Sequence, residues 1–328
     1  MDREEEIISW LRRQQPRAGL EAPGDDAAIV GRGSASKALT VDQQIAGIHV
    51  PADLDVAVWA RRLLAVNLSD LAAMGARPRA ALLTLAVPPA FPIRPFLSAT
   101  VHTCRRYGLT LAGGDIARAG QAVTTMTLLG TRARGSRWVS RSAGRAGDRL
   151  WIGGDVGLSA AGQRLVARGA RLVANRVSLP ADLGLDAAAA VAARRAVRRH
   201  LAPRPQLELG EWLGTQRRSA AIDVSDGLAK DLHRLCRSSG VGAVIDSDSL
   251  PISADLAKLA AVVGQPAVDL ALGGGEDYTL LFALPPRTTP PADFGARAIG
   301  RLIPGRRLFI EGGDGRRALD PAGWDHLK

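Results

Sequence analysis

The sequence contains few cysteine and aromatic residues. Only Cys104 and Cys236 occur in 328 residues, and their spacing matches neither a zinc site nor a disulfide framework. A small scaffold held together by cross-links is therefore excluded. Phe, Trp and Tyr together make up 4% of the chain. So few aromatic rings argue against a surface on which single-stranded nucleic acid stacks.

Long apolar runs are also missing. Arg or Gly interrupts each apolar stretch well before the ~20 residues that a membrane-spanning helix needs. The first residues, MDREEEIISWLRRQQ, lack the basic start and the apolar centre of a signal peptide. With 46% hydrophobic residues the chain can still fill ordinary cores. We therefore expect a cytoplasmic globular protein with no membrane partner.

Acidic residues are outnumbered, and the formal net charge is +11. The basic residues are nearly all Arg and are scattered, as in the stretch 191–200, so no Lys-rich tract forms. Such a surface suits small polyanionic ligands, and we expect no nucleic-acid partner. A catalytically silent, nucleic-acid-binding protein remains the alternative that the charge supports.

Short apolar runs alternate with helical patterns along the whole chain, which indicates a mixed α/β (α+β) fold of two domains. The polar stretch RARGSRWVSRSAGRAGD separates the halves, so we place the boundary near residue 140. In the first half the pattern predicts strands at 38–41 and 109–112 and a helix at 54–74.

Aspartates recur where strands begin or end. In SAAIDVSDGLAKDLHRL an apolar run ends at Asp223, and Asp226 precedes a helix, where it suits an N-cap. Five further aspartates lie in comparable contexts: Asp25, Asp26, Asp42, Asp70 and Asp115. An unpaired buried carboxylate costs several kcal/mol, a cost that Mg²⁺ removes by taking carboxylate and phosphate oxygens as ligands. The pattern favours metal–nucleotide chemistry.

Glycines accompany these aspartates. Gly113 and Gly114 precede Asp115, and IGGDVGLSAAG follows a predicted strand, so backbone N–H groups could approach phosphate. Packing explains such glycines equally well. No G-x-x-x-x-G-K-[ST] motif and no protein-kinase motif set occur. Phosphoryl transfer here would need another architecture.

An ordered series of motifs extends from Asp25 to Leu327: GDDAAIV, VDQQIAGIHV, AVNLSDLAAMGA, LAGGDIAR, the Arg141 to Asp148 stretch, AIDVSDGL, GGGEDYTLLF and GWDHL. This series resembles the thiamine-monophosphate kinase family. The resemblance implies a two-domain aminoimidazole ribonucleotide synthetase-like fold and a homodimer whose N-terminal sheets pair. Residues 1–140 would bind ATP and metal and form the dimer, and residues 141–328 would complete the active site.

The resemblance also implies a reaction and its residues. The enzyme would transfer the γ-phosphate of ATP to thiamine monophosphate with several Mg²⁺ ions, with Asp42, Asp70 and Arg141 as catalytic residues. Nucleotide contacts would come from Gly114, Asp115, Arg141 and Ser225, and substrate contacts from His49, Glu276 and Trp324. Metal ligands would be Asp26, Thr40, Val41, Asp42, Asp70, Asp115, Asp223 and, as an outer ligand, Asp226.

Two positions depart from the family pattern. The family commonly has Ser-Thr-Asp where this chain has Thr40, Val41 and Asp42, so only the backbone of Val41 could bind a metal. Phe96 and Leu97 stand where relatives offer a Tyr to adenine.

Other ATP-dependent enzymes of the same superfamily are the second alternative. Selenophosphate synthetase needs a Cys or selenocysteine near its N-terminus, and this chain has no Cys before Cys104. Aminoimidazole ribonucleotide synthetase has a strand-end motif with a Lys, which VDQQIAGIHV lacks.

Overall fold

The computed structural model describes residues 3–14, 24–313 and 315–324. The last residues of the GWDHL motif lie outside this range. The α-helices are α1 Arg3–Gln14, α2 Val56–Ala73, α3 Ile93–Arg106, α4 Leu158–Ala167, α5 Ala187–Leu201, α6 Leu207–Thr215, α7 Leu228–Ser239, α8 Ala254–Val263 and α9 Ala267–Gly273.

The strands form two large sheets and one hairpin. They are β1 Ala28–Val30, β2 Lys37–Ile45, β3 Arg77–Val87, β4 Thr110–Arg118, β5 Val123–Thr131, β6 Arg149–Ile152, β7 Arg171–Val173, β8 Arg176–Ser178, β9 Ala220–Asp223, β10 Gly242–Asp246, β11 Leu280–Leu284, β12 Arg297–Ile303, β13 Leu308–Gly312 and β14 Gly315–Ala318. The predicted mixed α/β fold is confirmed.

The first sheet has the order β1-β2-β5-β3-β4. β3 and β4 are parallel and α3 connects them, while the other neighbours are antiparallel. One face packs against α2 and α3. The other face exposes Val41 and Leu82, each at least half accessible. Because one face carries apolar residues without cover, this sheet is only half enclosed by its own chain.

The second sheet has the order β14-β13-β10-β12-β6-β11-β9 and contains one parallel pair, β10 with β13. Strands β9 and β11 are buried throughout, so their runs read as continuously apolar. β9 lies at the edge of this sheet, where it contacts α2. The end of β9 therefore comes close to residues of the first half.

Helix α2 links the two sheets. Asp55 caps its N-terminus, because Oδ1 accepts hydrogen bonds from the backbone N–H groups of Ala57 and Val58 at 3.0 Å. The helix is apolar on nearly all sides and contacts β2, β5, β9 and α6, as expected for a helix buried between layers. Gly75 ends it at φ +67°, where a Cβ would lie 3.1 Å from the carbonyl oxygen of Gly210.

Two strand predictions were too short. β2 runs to Ile45, so Asp42 lies inside the strand and not at its end, and β4 runs to Arg118, so Asp115 also lies inside a strand. Glycine and aspartate disfavour strands locally, but pairing with β3 holds β4 extended through Gly113, Gly114 and Asp115.

No single helix in the described ranges is long and apolar enough to cross a membrane. Within the described ranges, only α8 and α9 taken together are long and apolar enough, and a 100° bend separates them.

Candidate active site

Three aspartates from distant parts of the chain converge at the junction of the two sheets. Asp26 precedes β1, Asp70 lies in the last turn of α2, and Asp223 ends β9. One carboxylate oxygen of each lies within 4.8 Å of the others. Asp223 is 3% exposed, and its Oδ2 has no hydrogen-bond partner among the described residues. The arrangement brings negative charges together and leaves a buried oxygen unsatisfied.

The pKa values of two of these carboxyls reflect that crowding. Burial and the charges of Asp42, Asp223 and Asp26 raise the pKa of Asp70 well above its usual range. Burial and the charge of Asp26 do the same for Asp223. Like charges in a poorly hydrated site disfavour ionisation, so a cation bound between them would restore it.

Helix α2 and strand β2 hold Asp70 in place. Asn67 and Asp70 are three residues apart and therefore share one helix face. The side-chain oxygen Oδ1 of Asn67 accepts a hydrogen bond from the backbone N–H of Asp42 at 3.0 Å, and the Thr40 hydroxyl donates to Asp70. These contacts bring Thr40, Asp42 and Asp70 to one wall of the site. Val41 points the other way, with its side chain 60% exposed.

Arg141 is the cation beside the cluster. Its Nε and Nη2 donate to the two oxygens of Asp26 at 3.0 and 2.7 Å. Asp25 accepts from the Ser140 hydroxyl at 2.6 Å, and burial together with the charge of Asp26 raises its pKa to about 6. This bidentate hydrogen bonding by the Arg141 guanidinium also suits a phosphate group.

The DVSD loop after β9 is held by Asp231, and the predicted N-cap, Asp226, has a different role. Asp226 does not cap α7. Instead Oδ2 of Asp231, from inside the helix, accepts the backbone N–H groups of Ser225, Asp226 and Gly227 at 3.0–3.1 Å. Asp226 lies 3.0 Å from Lys230 Nζ and 2.8 Å from Arg234 Nη1. Gly227 occupies the N-cap position at φ +132°, ψ 143°, a backbone conformation that side-chain-bearing residues rarely adopt.

A cavity of about 370 Å³ adjoins the cluster. Its lining includes most of the predicted residues: Asp42, His49, Asp70, Asp223, Ser225, Asp226, Glu276 and Trp324. The backbone N–H of Ile45 donates to His49 Nδ1 at 3.1 Å, which fixes the ring orientation. The Trp324 backbone N–H donates to the Asp226 carbonyl at 2.9 Å and thereby holds the C-terminal segment beside the DVSD loop.

Gly114 and Asp115 lie apart from this cavity. They line a second pocket of about 380 Å³ between β3, β4 and α3, together with Leu83, Leu97 and Leu111. Gly114 is needed for close strand packing, because its Cβ would lie 1.7 Å from the Leu83 carbonyl oxygen. Asp115 is exposed on an edge strand. Within one chain, neither residue joins the aspartate cluster.

Several residues of the site were not predicted from the sequence. Asn67 holds strand β2 and Asp231 holds the DVSD loop, while Arg62 and His200 contact Glu276. Asn67 occurs within the AVNLSD motif, which could have indicated it. Nothing near Arg62 or His200 in the sequence points to a partner more than 70 residues away.

Comparison with known proteins identifies the family. Thiamine-monophosphate kinase of Pyrococcus abyssi is 30% identical over 328 residues, which is 99% of this chain and 96% of that protein. The chain belongs to the thiamine-monophosphate kinase family. The enzyme of that name from Salmonella typhimurium is 36% identical over 282 residues, covering 85% of this chain and 80% of the relative.

Further matches agree with this family. The model "AIR synthase related protein, N-terminal domain" matches residues 24–132. A solved structure described as "AaThiL complexed with AMPPCP and TMP" superposes with a TM-score of 0.84 at 27% identity, covering 99% of this chain and 97% of the other. Thiamine-monophosphate kinase from Aquifex aeolicus superposes with a TM-score of 0.79 at 26% identity, covering 95% and 98%. These relatives support the kinase over the nucleic-acid-binding alternative.

Proposed function

We propose that this protein transfers the γ-phosphate of ATP to thiamine monophosphate and releases thiamine diphosphate and ADP. The observation that carries the proposal is the convergence of Asp26, Asp70 and Asp223 beside a cavity, in a chain that matches thiamine-monophosphate kinases over nearly its whole length. The similar structure with an ATP analogue and TMP bound supports both substrates.

The aspartate cluster fits Mg²⁺. All its donors are carboxylate oxygens, which Mg²⁺ prefers, and the buried Oδ2 of Asp223 needs a partner. We propose that Asp26, Asp42, Asp70 and Asp223 hold the ions, with Thr40, the Val41 backbone and Asp226 around them. Bound Mg²⁺ supplies positive charge to the phosphate oxygens and so lowers the repulsion between two anionic substrates.

Arg141 would contact the nucleotide. In the structure its guanidinium is neutralised by Asp26, whose side chain is fully buried. An Asp26 carboxylate engaged by metal would share its charge, so Arg141 would be able to turn toward a phosphate oxygen. Ser225, on the adjoining loop, would donate from its hydroxyl. The role of these groups is to orient the phosphates and to stabilise the charge that develops during transfer.

The acceptor needs no strong base. A phosphate monoester is largely ionised at neutral pH, so the substrate oxygen can attack directly and no covalent enzyme intermediate is required. We propose that His49, Glu276 and Trp324, which line the cavity, hold the thiamine end of the substrate, with the Trp324 ring against the cationic thiazolium. Their task is to place the acceptor phosphate in line with the γ-phosphate.

We also propose a homodimer formed through the first sheet. Its outer face exposes Val41 and Leu82, and β4 is an edge strand, features that a second copy would cover. A dimer gives Gly114 and Asp115 a role, because in one chain they lie outside the cluster. We propose that the partner's Asp115 completes the nucleotide site.

We also propose a domain boundary near residue 140 and a cytoplasmic location. The family model ends at residue 132 and the second sheet starts at Arg149, which supports a boundary between them. The proposed substrates are metabolites of the cell interior.

An assay with ATP, Mg²⁺ and thiamine monophosphate tests the function. We expect thiamine diphosphate as product, no turnover in EDTA, and no phosphorylation of free thiamine, because the site is built for a phosphate acceptor. Equal turnover of thiamine and thiamine monophosphate would contradict the proposal.

A further inference from the structure

Glu276 is held from its buried side by two residues. Arg62 Nη2 donates to Glu276 Oε1, and His200 Nδ1 lies 3.0 Å from Glu276 Oε2. Arg62 Nη1 also donates to the carbonyl oxygen of His200, which ties the two holding residues to each other. Both oxygens of the carboxylate are therefore anchored, and the Glu276 side chain remains 24% exposed toward the cavity.

The anchoring residues are themselves deeply buried. Arg62, in the middle of α2, has no exposed surface, and His200, at the end of α5, is 3% exposed. A buried guanidinium is costly unless a carboxylate pairs with it, and Glu276 provides that carboxylate. Because the three residues come from α2, α5 and the loop between α9 and β11, the contact joins separate parts of the fold.

The loop that carries Glu276 is strained and tightly fixed. Glu276 and Tyr278 have φ angles of +64° and +48°, which side-chain-bearing residues rarely adopt. The backbone N–H of Glu276 donates to the Ser225 carbonyl at 2.7 Å, and that of Tyr278 to the Val224 carbonyl at 2.9 Å. Between them, Asp277 accepts the N–H groups of Gly157 and Ser159 at the start of α4. Strain of this kind persists where surrounding contacts impose it, and it clusters at ligand sites.

We propose that Arg62 and His200 are positioning residues, which fix the Glu276 carboxylate as an oriented acceptor for the thiamine end of the substrate. The inference rests on the proposed function and adds two residues to it. With both oxygens anchored, the remaining lone pairs of Glu276 face the cavity before any ligand arrives. An amino group or cationic ring can then bind without ordering this side chain first, which favours affinity.

Steady-state kinetics of Arg62→Met test this role. We expect the KM for thiamine monophosphate to rise about tenfold or more, with the KM for ATP within about twofold of wild type, because the anchored residue faces only the acceptor substrate. Arg62→Lys, which keeps one donor and the charge, should recover part of the loss. The control is Arg61→Met at the neighbouring position of α2; in the described part of the chain Arg61 forms no ion pair with Glu276.

A second substitution shows whether Arg62 acts through Glu276. In a Glu276→Gln background, Arg62→Met should raise the KM for thiamine monophosphate by less than about twofold further, since there is no carboxylate left to orient. His200 gives an independent pair should Arg62→Met fail to fold. His200→Leu should raise the same KM, and His200→Asn, which places a donor near the Nδ1 position, should restore it.

The outcomes separate the inference from the function. Equal increases in both KM values, or full additivity with Glu276→Gln, would overturn the positioning role and leave Arg62 structural. So would a folded His200→Leu with wild-type kinetics. A wild-type protein that forms no thiamine diphosphate would instead contradict the proposed function, and with it the substrate that the inference names.

Discussion

The carboxylates on two walls of the same cavity have pKa values shifted in opposite directions. On one wall, burial and neighbouring carboxylates raise the pKa values of Asp70 and Asp223, with Asp26 contributing to both. On the other wall, burial opposes ionisation of Glu276, but Arg62 and His200 outweigh it and lower the pKa to about 2. The protein supplies its own cation for Glu276. It leaves the cluster short of positive charge, as a site does that takes its cations from solution.

The largest effect should follow from removing one carboxylate charge from the aspartate cluster. Asp70→Asn should lower kcat at least about a hundredfold, a loss of roughly 2.7 kcal/mol of transition-state stabilisation, because a metal ligand is removed. The assay follows thiamine diphosphate at saturating ATP, Mg²⁺ and thiamine monophosphate. Asp182→Asn, on an exposed short turn, is the control and should keep wild-type kcat. A kcat within about threefold of wild type for Asp70→Asn would place the metal elsewhere.

Mixed dimers test whether Asp115 of a second subunit completes the site that contains the aspartate cluster. Asp70→Asn and Asp115→Asn homodimers should both be nearly inactive. Co-expressed with two different tags and purified as heterodimers, they should recover about half of wild-type kcat, because one of the two sites then has both aspartates intact. Recovery is impossible if Asp70 and Asp115 serve the same site within one chain. Heterodimers as inactive as the parents would therefore refute the shared site.

A smaller effect is expected on stability, whose pH dependence should have opposite signs for the aspartate cluster and for Glu276. A carboxyl whose pKa is raised by folding binds its proton more tightly when folded, so stability falls as pH rises through that pKa. Asp70 and Asp223 should act in this way without metal. Glu276 has a lowered pKa, so its contribution is present above about 4.5 and is lost as pH falls toward about 2.

Thermal melts in EDTA between pH 2.5 and 8 measure these contributions. Relative to wild type, Asp70→Asn should lose less stability toward neutral pH, and Glu276→Gln should lose less toward acid pH. Two variants with the same pH profile would show that the walls do not differ in this way.

The sequence was most informative about the aspartates and least informative about what holds them. Asp70 and Asp223 stand in apolar surroundings, which itself indicates a metal or a partner. The N-cap prediction for Asp226 was wrong because its carboxylate pairs with Lys230 and Arg234, while Asp231, one turn into α7, accepts the N–H groups of the loop. Local spacing allowed both, and only the loop conformation decides.

Long-range contacts account for the remaining differences. β4 extends through Gly113 and Gly114 because β3 pairs with it, not because those residues favour strands. Arg62 and Glu276 are far apart in sequence, and an Arg on an apolar helix gives no hint of which carboxylate it meets. The homodimer remains a prediction, and the exposed face of the first sheet is the observation that supports it.

The most direct test of the central claim is a paired thermal melt of wild type and Asp70→Asn, in EDTA and in Mg²⁺ with AMPPCP. If the aspartates form a metal site, their carboxylates repel one another without metal, and removing one charge relieves that repulsion. Asp70→Asn should therefore melt no lower than wild type in EDTA. Wild type should rise in Tm with Mg²⁺ and AMPPCP through binding to the native state, and the variant should rise less. An Asp70→Asn protein that melts several degrees lower in EDTA yet keeps the full ligand-induced rise would show that Asp70 is structural and that the metal cluster is wrong.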